Sequence, residues 1–308
     1  MGSMTTLIQD YLIIGAGVFG ASTAYHLSKT NPSATITLVD RTPFPCPKGA
    51  SYDINKIVRA DYRDIFYTRL ALKAQQSWTE DPIWMPFYHQ CGMIKLDNTK
   101  AGADILRNYQ TLGAYHEGRM ITTAESRGLY SGLFADADYE NVEEIYYNPL
   151  VGWAEADAAL KRAIEIAIQN GVEYVASSVS SLQFDEKGSC IGVELEEGQP
   201  LEARHVILCT GAGTAQLLAS SAPERPNLQV GHRMNATGLC CAKVQLSPEQ
   251  QIKYRNAPVF VHGVGHKNLG LFALPGPQCH TQHPLTAHLC RCLNATHCRR
   301  ESQAVPRC

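Results

Sequence analysis

The sequence has no apolar run approaching the roughly 18 residues that a membrane-crossing helix needs. Its first apolar stretch, YLIIGAGVFG, follows Asp10 rather than a basic segment. Neither a spanning helix nor a secretory leader is therefore expected. There is no surplus of charge either: 27 Lys and Arg stand against 29 Asp and Glu, a formal net charge of −2. Without a basic block, neither nucleic acid nor an anionic membrane surface is an expected partner. Of the 11 cysteines, six are scattered without metal-ligand spacing and read as free thiols of a reducing compartment. The other five, Cys279, Cys290, Cys292, Cys298 and Cys308, crowd into the last 30 residues. No internal repeat is visible. What is left is a globular chain of 308 residues, 44% hydrophobic and 18% charged, long enough for one large or two medium domains. Its expected partner is a small molecule.

Residues 9 to 40 alternate strand, glycine turn, helix and strand: YLIIG, then ASTAYHLSK with small and apolar residues at helical spacing, then the β-branched ATITLVD. A second helix is expected from Phe66 to Trp78, its apolar stripe of Tyr67, Leu70, Ala71, Ala74 and Trp78 facing a core. Residues 81 to 150 lose this regularity and read as a domain inserted into the first. An amphipathic helix returns over 155 to 170, with Ala159, Leu160, Ala163, Ile164, Ala167 and Ile168 apolar and Gly171 placed for a left-handed cap. Strands follow at VEYVA, SSLQF, CIGVELEEG and HVILCTGAG, the middle two joined as a hairpin through Lys187 and Gly188.

Gly15, Gly17 and Gly20 spell G-x-G-x-x-G between a strand and a helix, and Asp40 closes the next strand. Such a unit suits a dinucleotide: one glycine for the tight turn, one so that backbone can reach a pyrophosphate, one for helix-to-strand packing. The helix N-terminus adds unpaired N–H groups and a positive dipole end. Asp40 would accept from a ribose hydroxyl and repel a 2′-phosphate, which favours FAD or NAD over NADP. A second backbone approach lies at Thr210, Gly211, Ala212 and Gly213, after the apolar strand HVILC. The repeated βαβ units of an NAD dehydrogenase are not seen straight after Asp40.

The polar run SYDINKIVRADY, residues 51 to 62, holds Lys56 and Arg59 three apart. On its own such a pair reads as a solvated face. Together with IIGAGVFGASTAYHL and Asp40, GWAEADAALKRAIEIAIQNGV and VILCTGAGT, it makes the chain resemble the D-amino-acid oxidase-like flavoproteins. Within them the likeness is to the sarcosine oxidase and fungal fructosyl-amino-acid and saccharopine (pipecolate) oxidase group, over residues 9 to 270. That resemblance implies an α/β fold, a Rossmann-type FAD domain with an inserted α+β substrate domain. It also implies a reaction: oxidation of the C–N bond of a secondary amine or amino acid, with hydride passing to the flavin and O2 leaving as H2O2. The implied cofactor contacts are Gly15, Gly17, Val18, Phe19, Gly20, Asp40, Arg41, Ser51, Asn55, Lys56, Val179, Gly211 and Ala212. Lys56 would stand near the flavin's reactive side, and Arg59 would grip the substrate carboxylate. Tyr62, Trp84, Phe87 and Tyr88 read as core more readily than as pocket lining, and His89, His232 and His262 carry no expected role.

The expected segments are 1–84 and 147–224 for the FAD domain, 85–146 and 225–270 for the substrate domain, and 271–308 as an aberrant or disordered tail. The resemblance ends near Gly270, and since the family runs on by a hundred residues or more, the tail is expected to be read from an intron or a shifted frame. A zinc site of Cys279, His280, His283, Cys290 and Cys292 lacks the familiar spacing, so no metal is expected. A catalytically silent remnant and an NAD-dependent dehydrogenase are the alternatives, and the expected location is the cytoplasm or the peroxisome.

Overall fold

A computed structural model describes residues 8–237, 239–264, 269–273 and 286–292. The chain divides into two compact units, Met1–Ile54 with Ala156–Ala236 and Asn55–Glu155 with Thr237–Cys308.

The first unit is built on a six-stranded sheet in the order Val179–Phe184, Cys190–Leu195, Leu201–Leu208, Gln9–Ile14, Ile36–Asp40, Glu173–Ala176. The last four run parallel, Gln9–Ile14 pairing with both Leu201–Leu208 and Ile36–Asp40, so their carboxyl ends share one edge. The first two are the expected hairpin, antiparallel, closed by a turn in which the Gly188 N–H donates to the Asp185 carbonyl at 2.9 Å. Strand alternation sends Leu12 and Ile14 to one side, into a cluster with Val39, Leu182, Val193 and Ala203, while Ile13 between them is fully buried as well. A sheet covered on both faces explains why these strands read as continuous apolar runs. The helices Val18–Thr30 and Ala156–Gln169 pack on each other. The second buries Ala159, Leu160, Ala163, Ile164 and Ala167, as its periodicity predicts. It stops where Gly171 turns to φ +96° and the Val172 N–H reaches back to the Ala167 carbonyl.

The second unit contains a seven-stranded sheet, in the order Leu239–Gln245, Thr286–Cys292, Leu269–Ala273, Val259–His262, Met93–Asp97, Glu144–Asn148, Arg119–Ile121. Only the pair Val259–His262 with Met93–Asp97 is parallel. A three-stranded sheet joins Lys56–Val58, Gly152–Ala154 and Tyr88–Gln90. One core gathers Ala60, Met93, Ile105, Tyr109, Tyr146, Val151, Trp153 and Val259; another gathers Ile94, Leu96, Ile145, Phe134 and Phe260, the last two rings stacked at 4.2 Å.

Three expectations need adjustment. The unit boundaries fall after Ile54, Glu155 and Ala236 rather than after 84, 146 and 224. Strand pairing sets them: Lys56–Val58 and Gly152–Ala154 hydrogen-bond to each other, which draws both flanks of the inserted stretch into the second unit. The helix over 66 to 78 exists as Ile65–Glu80, but Tyr67 is 54% exposed and Leu70 49%; Ala71 and Leu72 are the residues that meet the core. Its first turn is held instead by polar contacts, Asp64 capping the Phe66 N–H at 2.8 Å and the buried Thr68 hydroxyl donating to the Tyr62 carbonyl at 3.0 Å. Finally, residues 271–273 and Thr286–Cys292 of the expected tail are strand residues. The remainder of 271–308, including Cys279, His280 and His283, lies outside the described residues. Among the described residues no helix is long and apolar enough to cross a membrane.

Candidate functional site

In an open parallel sheet a ligand is expected just beyond the carboxyl ends of the strands. The carboxyl ends here are Ile14, Asp40, Ala176 and Leu208, and most of the predicted cofactor residues follow directly on them. Gly15, at φ +96°, makes the turn out of Gln9–Ile14, its N–H donating to the Val39 carbonyl at 2.7 Å. A side chain on Gly15 would meet the Cys209 carbonyl oxygen at 2.5 Å, and one on Gly20 would meet the Gly15 carbonyl oxygen at 1.8 Å. Those two glycines are demanded by the fold itself. Gly17 is different: its φ of −68° suits any residue, and an added Cβ would meet only the Ser51 hydroxyl, at 3.3 Å.

Gly17 also caps the helix Val18–Thr30 without any side-chain hydrogen bond, and the exposed Val18 and Phe19 follow it. The Ser51 hydroxyl accepts from the Val18 N–H at 2.9 Å, which leaves its own proton available to a ligand. Asp40, nearly buried, accepts the Ala16 N–H on Oδ2 at 3.0 Å and the Arg41 N–H on Oδ1 at 2.8 Å. Each carboxylate oxygen has a second lone pair, so Asp40 can be fixed by backbone and still accept from a ribose. The Arg41 guanidinium is half exposed, its Nε 3.9 Å from Asp40 Oδ1. From the other strands come Val179, which opens the hairpin three residues past Ala176, and the exposed Gly211 and Ala212 in a tight turn after Leu208, with Gly211 at φ +53°. The glycine cradle, a helix end without a side-chain cap and an acid at the second strand's end fit a dinucleotide.

Asn55, Lys56 and Arg59 belong to the second unit. Asn55 is buried. In the strand Lys56–Val58, Ile57 packs toward the core while Lys56, one position away, is exposed. So the pair is not a helical face at all. Arg59 is half-buried: its guanidinium lies 4.4 Å over the Tyr62 ring and Nη1 donates to the Asp61 carbonyl. Trp84 meets Trp78 edge-on, and the Tyr88 hydroxyl donates to the Leu150 carbonyl at 3.1 Å. His89 stacks on Trp153 with Nε2 2.9 Å from Glu155 Oε1.

Two buried carboxylates of this unit, Asp61 and Asp97, were missed by sequence reasoning, and the first of them bears on the site. Asp61 is 4% exposed; its Oδ1 accepts from the Tyr146 hydroxyl at 2.6 Å and from Asn148 Nδ2 at 2.8 Å, its charge adds to burial in raising the neighbouring Tyr109 phenol, and among the described residues its Oδ2 makes no hydrogen bond of good geometry. Burial, and then the Asp61 charge, push the Tyr146 phenol well above its ordinary range, so it stays protonated as the donor. Among the described residues no cluster of His, Cys, Asp or Glu is assembled for a metal.

With this geometry in place, the likeness to known proteins is specific. Residues 10–274 match the family of FAD dependent oxidoreductases, and the chain belongs to that family. It is 31% identical over 267 residues to L-saccharopine oxidase of Schizosaccharomyces pombe, covering 82% of this chain and 59% of that protein. It is 29% identical over 255 residues to amino acid oxidase imqH of Aspergillus flavus, covering 69% and 53%. Its fold matches fructosyl peptide oxidase from E. terrenum with a TM-score of 0.72 at 25% identity, over 92% of this chain and 63% of that one. The chain thus spans between half and three fifths of the length of these curated relatives.

Proposed function

We propose that this chain carries the FAD site and the substrate-reading segment of an oxidase of secondary amines or amino acids. FAD, when bound, supplies the two-electron acceptor for oxidising a carbon next to nitrogen, with O2 as its reoxidant and H2O2 as the product. The chain's own residues do the binding and orienting. The N-terminal end of the helix Val18–Thr30 and the bare backbone at Gly17 receive the pyrophosphate, the Ser51 hydroxyl donates to it, and Asp40 accepts from a ribose.

The observation that carries the substrate class is Arg59. A guanidinium held over an aromatic ring and tied to a backbone carbonyl is a pre-set fork, suited to a carboxylate and poorly suited to a sugar hydroxyl. We therefore favour an amino acid such as sarcosine, pipecolate or saccharopine, in line with relatives named as oxidases of saccharopine and of amino acids. Free thiols at Cys46, Cys91, Cys190 and Cys209 agree with the cytoplasm or the peroxisome as its location. The test is purified protein supplied with FAD and each of the three amino acids, with peroxide measured through a peroxidase. Peroxide from at least one acid, and none from its decarboxylated amine, is expected. Colourless protein that makes none from any of them overturns the reading.

A further inference from the structure

The Asp61 side chain is not used in the reading above, yet its position ties the candidate substrate residue to the sheet. Tyr146 and Asn148 lie two apart on the strand Glu144–Asn148, hence on one face, and both donate to the same oxygen of the Asp61 carboxylate, at 2.6 and 2.8 Å. The backbone carbonyl of the same residue receives Nη1 of Arg59. One residue therefore touches the strand with its side chain and the guanidinium with its main chain. The next residue completes the hold. The Tyr62 ring lies under the guanidinium, and the Tyr62 carbonyl accepts from Asn108 Nδ2 at 2.9 Å and from the Thr68 hydroxyl at 3.0 Å. A buried carboxylate is costly, and among the described residues Asp61 Oδ2 makes no hydrogen bond of good geometry, with only the Tyr109 phenol interacting beside it. Packing alone would be served better by an apolar residue.

We propose that Asp61 is the positioning residue of Arg59: anchored by Tyr146 and Asn148, it fixes the guanidinium in the orientation that selects a carboxylate-bearing substrate. This rests on Arg59 being the carboxylate reader. The charge of Asp61 is not the essential part; the two hydrogen bonds accepted by Oδ1 are. An amide oxygen would accept both.

The test is the full chain loaded with FAD and kept free of oxygen, with the dissociation constants of pipecolate and pipecolamide measured by calorimetry. Wild-type protein is expected to prefer the acid, and Arg59→Ala to lose that preference. Asp61→Ala should reduce the preference about ten-fold or more, the order of effect of losing one well-placed hydrogen bond between charged groups. Asp61→Asn should restore it, and Asp61→Ala added to Arg59→Ala should change nothing further. Should Asp61→Ala fail to fold, Tyr146→Phe removes one of the two donors and should move the ratio in the same direction. If Arg59→Ala leaves the preference intact, the reading of Arg59 fails and the proposal with it. If Arg59→Ala abolishes the preference but Asp61→Ala, or Tyr146→Phe in its place, only lowers the melting temperature, the positioning role alone is overturned.

Discussion

Gly17→Ala separates what the glycine turn does for the fold from what it does for a ligand. The backbone at Gly17 is ordinary, and the new methyl would meet one atom, the Ser51 hydroxyl oxygen, at 3.3 Å. Replacing glycine by alanine at a compatible position gains about 0.4–1 kcal/mol from the unfolded chain. That offsets a mild crowding, so the melting temperature of the cofactor-free protein should hardly move. The methyl would, however, occupy the approach of the pyrophosphate to the backbone. Losing one hydrogen bond to a charged group costs about 1.5–3 kcal/mol, which corresponds to about ten- to 150-fold in dissociation constant. Titrating the deflavinated protein with FAD and following quenching of flavin fluorescence reads this directly. Gly20→Ala is the control that fails for another reason, since its methyl would lie 1.8 Å from the Gly15 carbonyl oxygen and break the turn itself. An unchanged affinity for FAD in a folded Gly17→Ala protein would rule out Gly17 as the pyrophosphate's point of approach.

Arg59→Lys keeps the charge but loses the fork, and should raise KM for a carboxylate substrate by about ten-fold with less effect on kcat, as steady-state peroxide kinetics would show. The carboxyl of Asp97 is pulled both ways: burial raises it, while the Lys95 ammonium at 2.5 Å and the Thr99 N–H lower it further, so the folded value lies below the ordinary 3.8. Its stabilisation is thus present above that value and lost as pH falls through the folded one; Asp97→Asn should flatten the melting temperature against pH below about 4. Burial pushes the Cys91 thiol up to about 11 from 9.0, so its alkylation near neutral pH, followed by peptide mapping, should be about a hundred-fold slower than that of an unshifted cysteine.

The parts legible in the sequence are those whose causes are local. The glycine turn, its two strands and Asp40 sit within 32 consecutive positions, residues 9 to 40, and each obeys a rule of strand, helix or turn geometry. The helix at Ala156–Gln169 and the hairpin after Glu173–Ala176 were equally readable. Distant pairings were not. Asp61 looks like one more polar residue of a polar run, because the partners that bury it lie 85 and 87 positions further on. The stripe on Ile65–Glu80 misled because periodicity reports an apolar face without saying what covers it, and here Tyr67 and Leu70 stay exposed. Thr286–Cys292 alternates polar and apolar only over its first four residues, yet it pairs along its length with Leu239–Gln245 and with Leu269–Ala273, and a ladder of backbone hydrogen bonds asks little of side-chain pattern.

In the proposed function, the edge formed by Gly15, Gly17, Ser51 and Asp40 holds FAD for the oxidation of an amine. Equilibrium titration of the purified chain with FAD and, separately, with NADH tests it most directly. Saturable binding of FAD, weakened by Gly17→Ala, is expected, with none of comparable strength for NADH. Binding of NADH with no binding of FAD would contradict it.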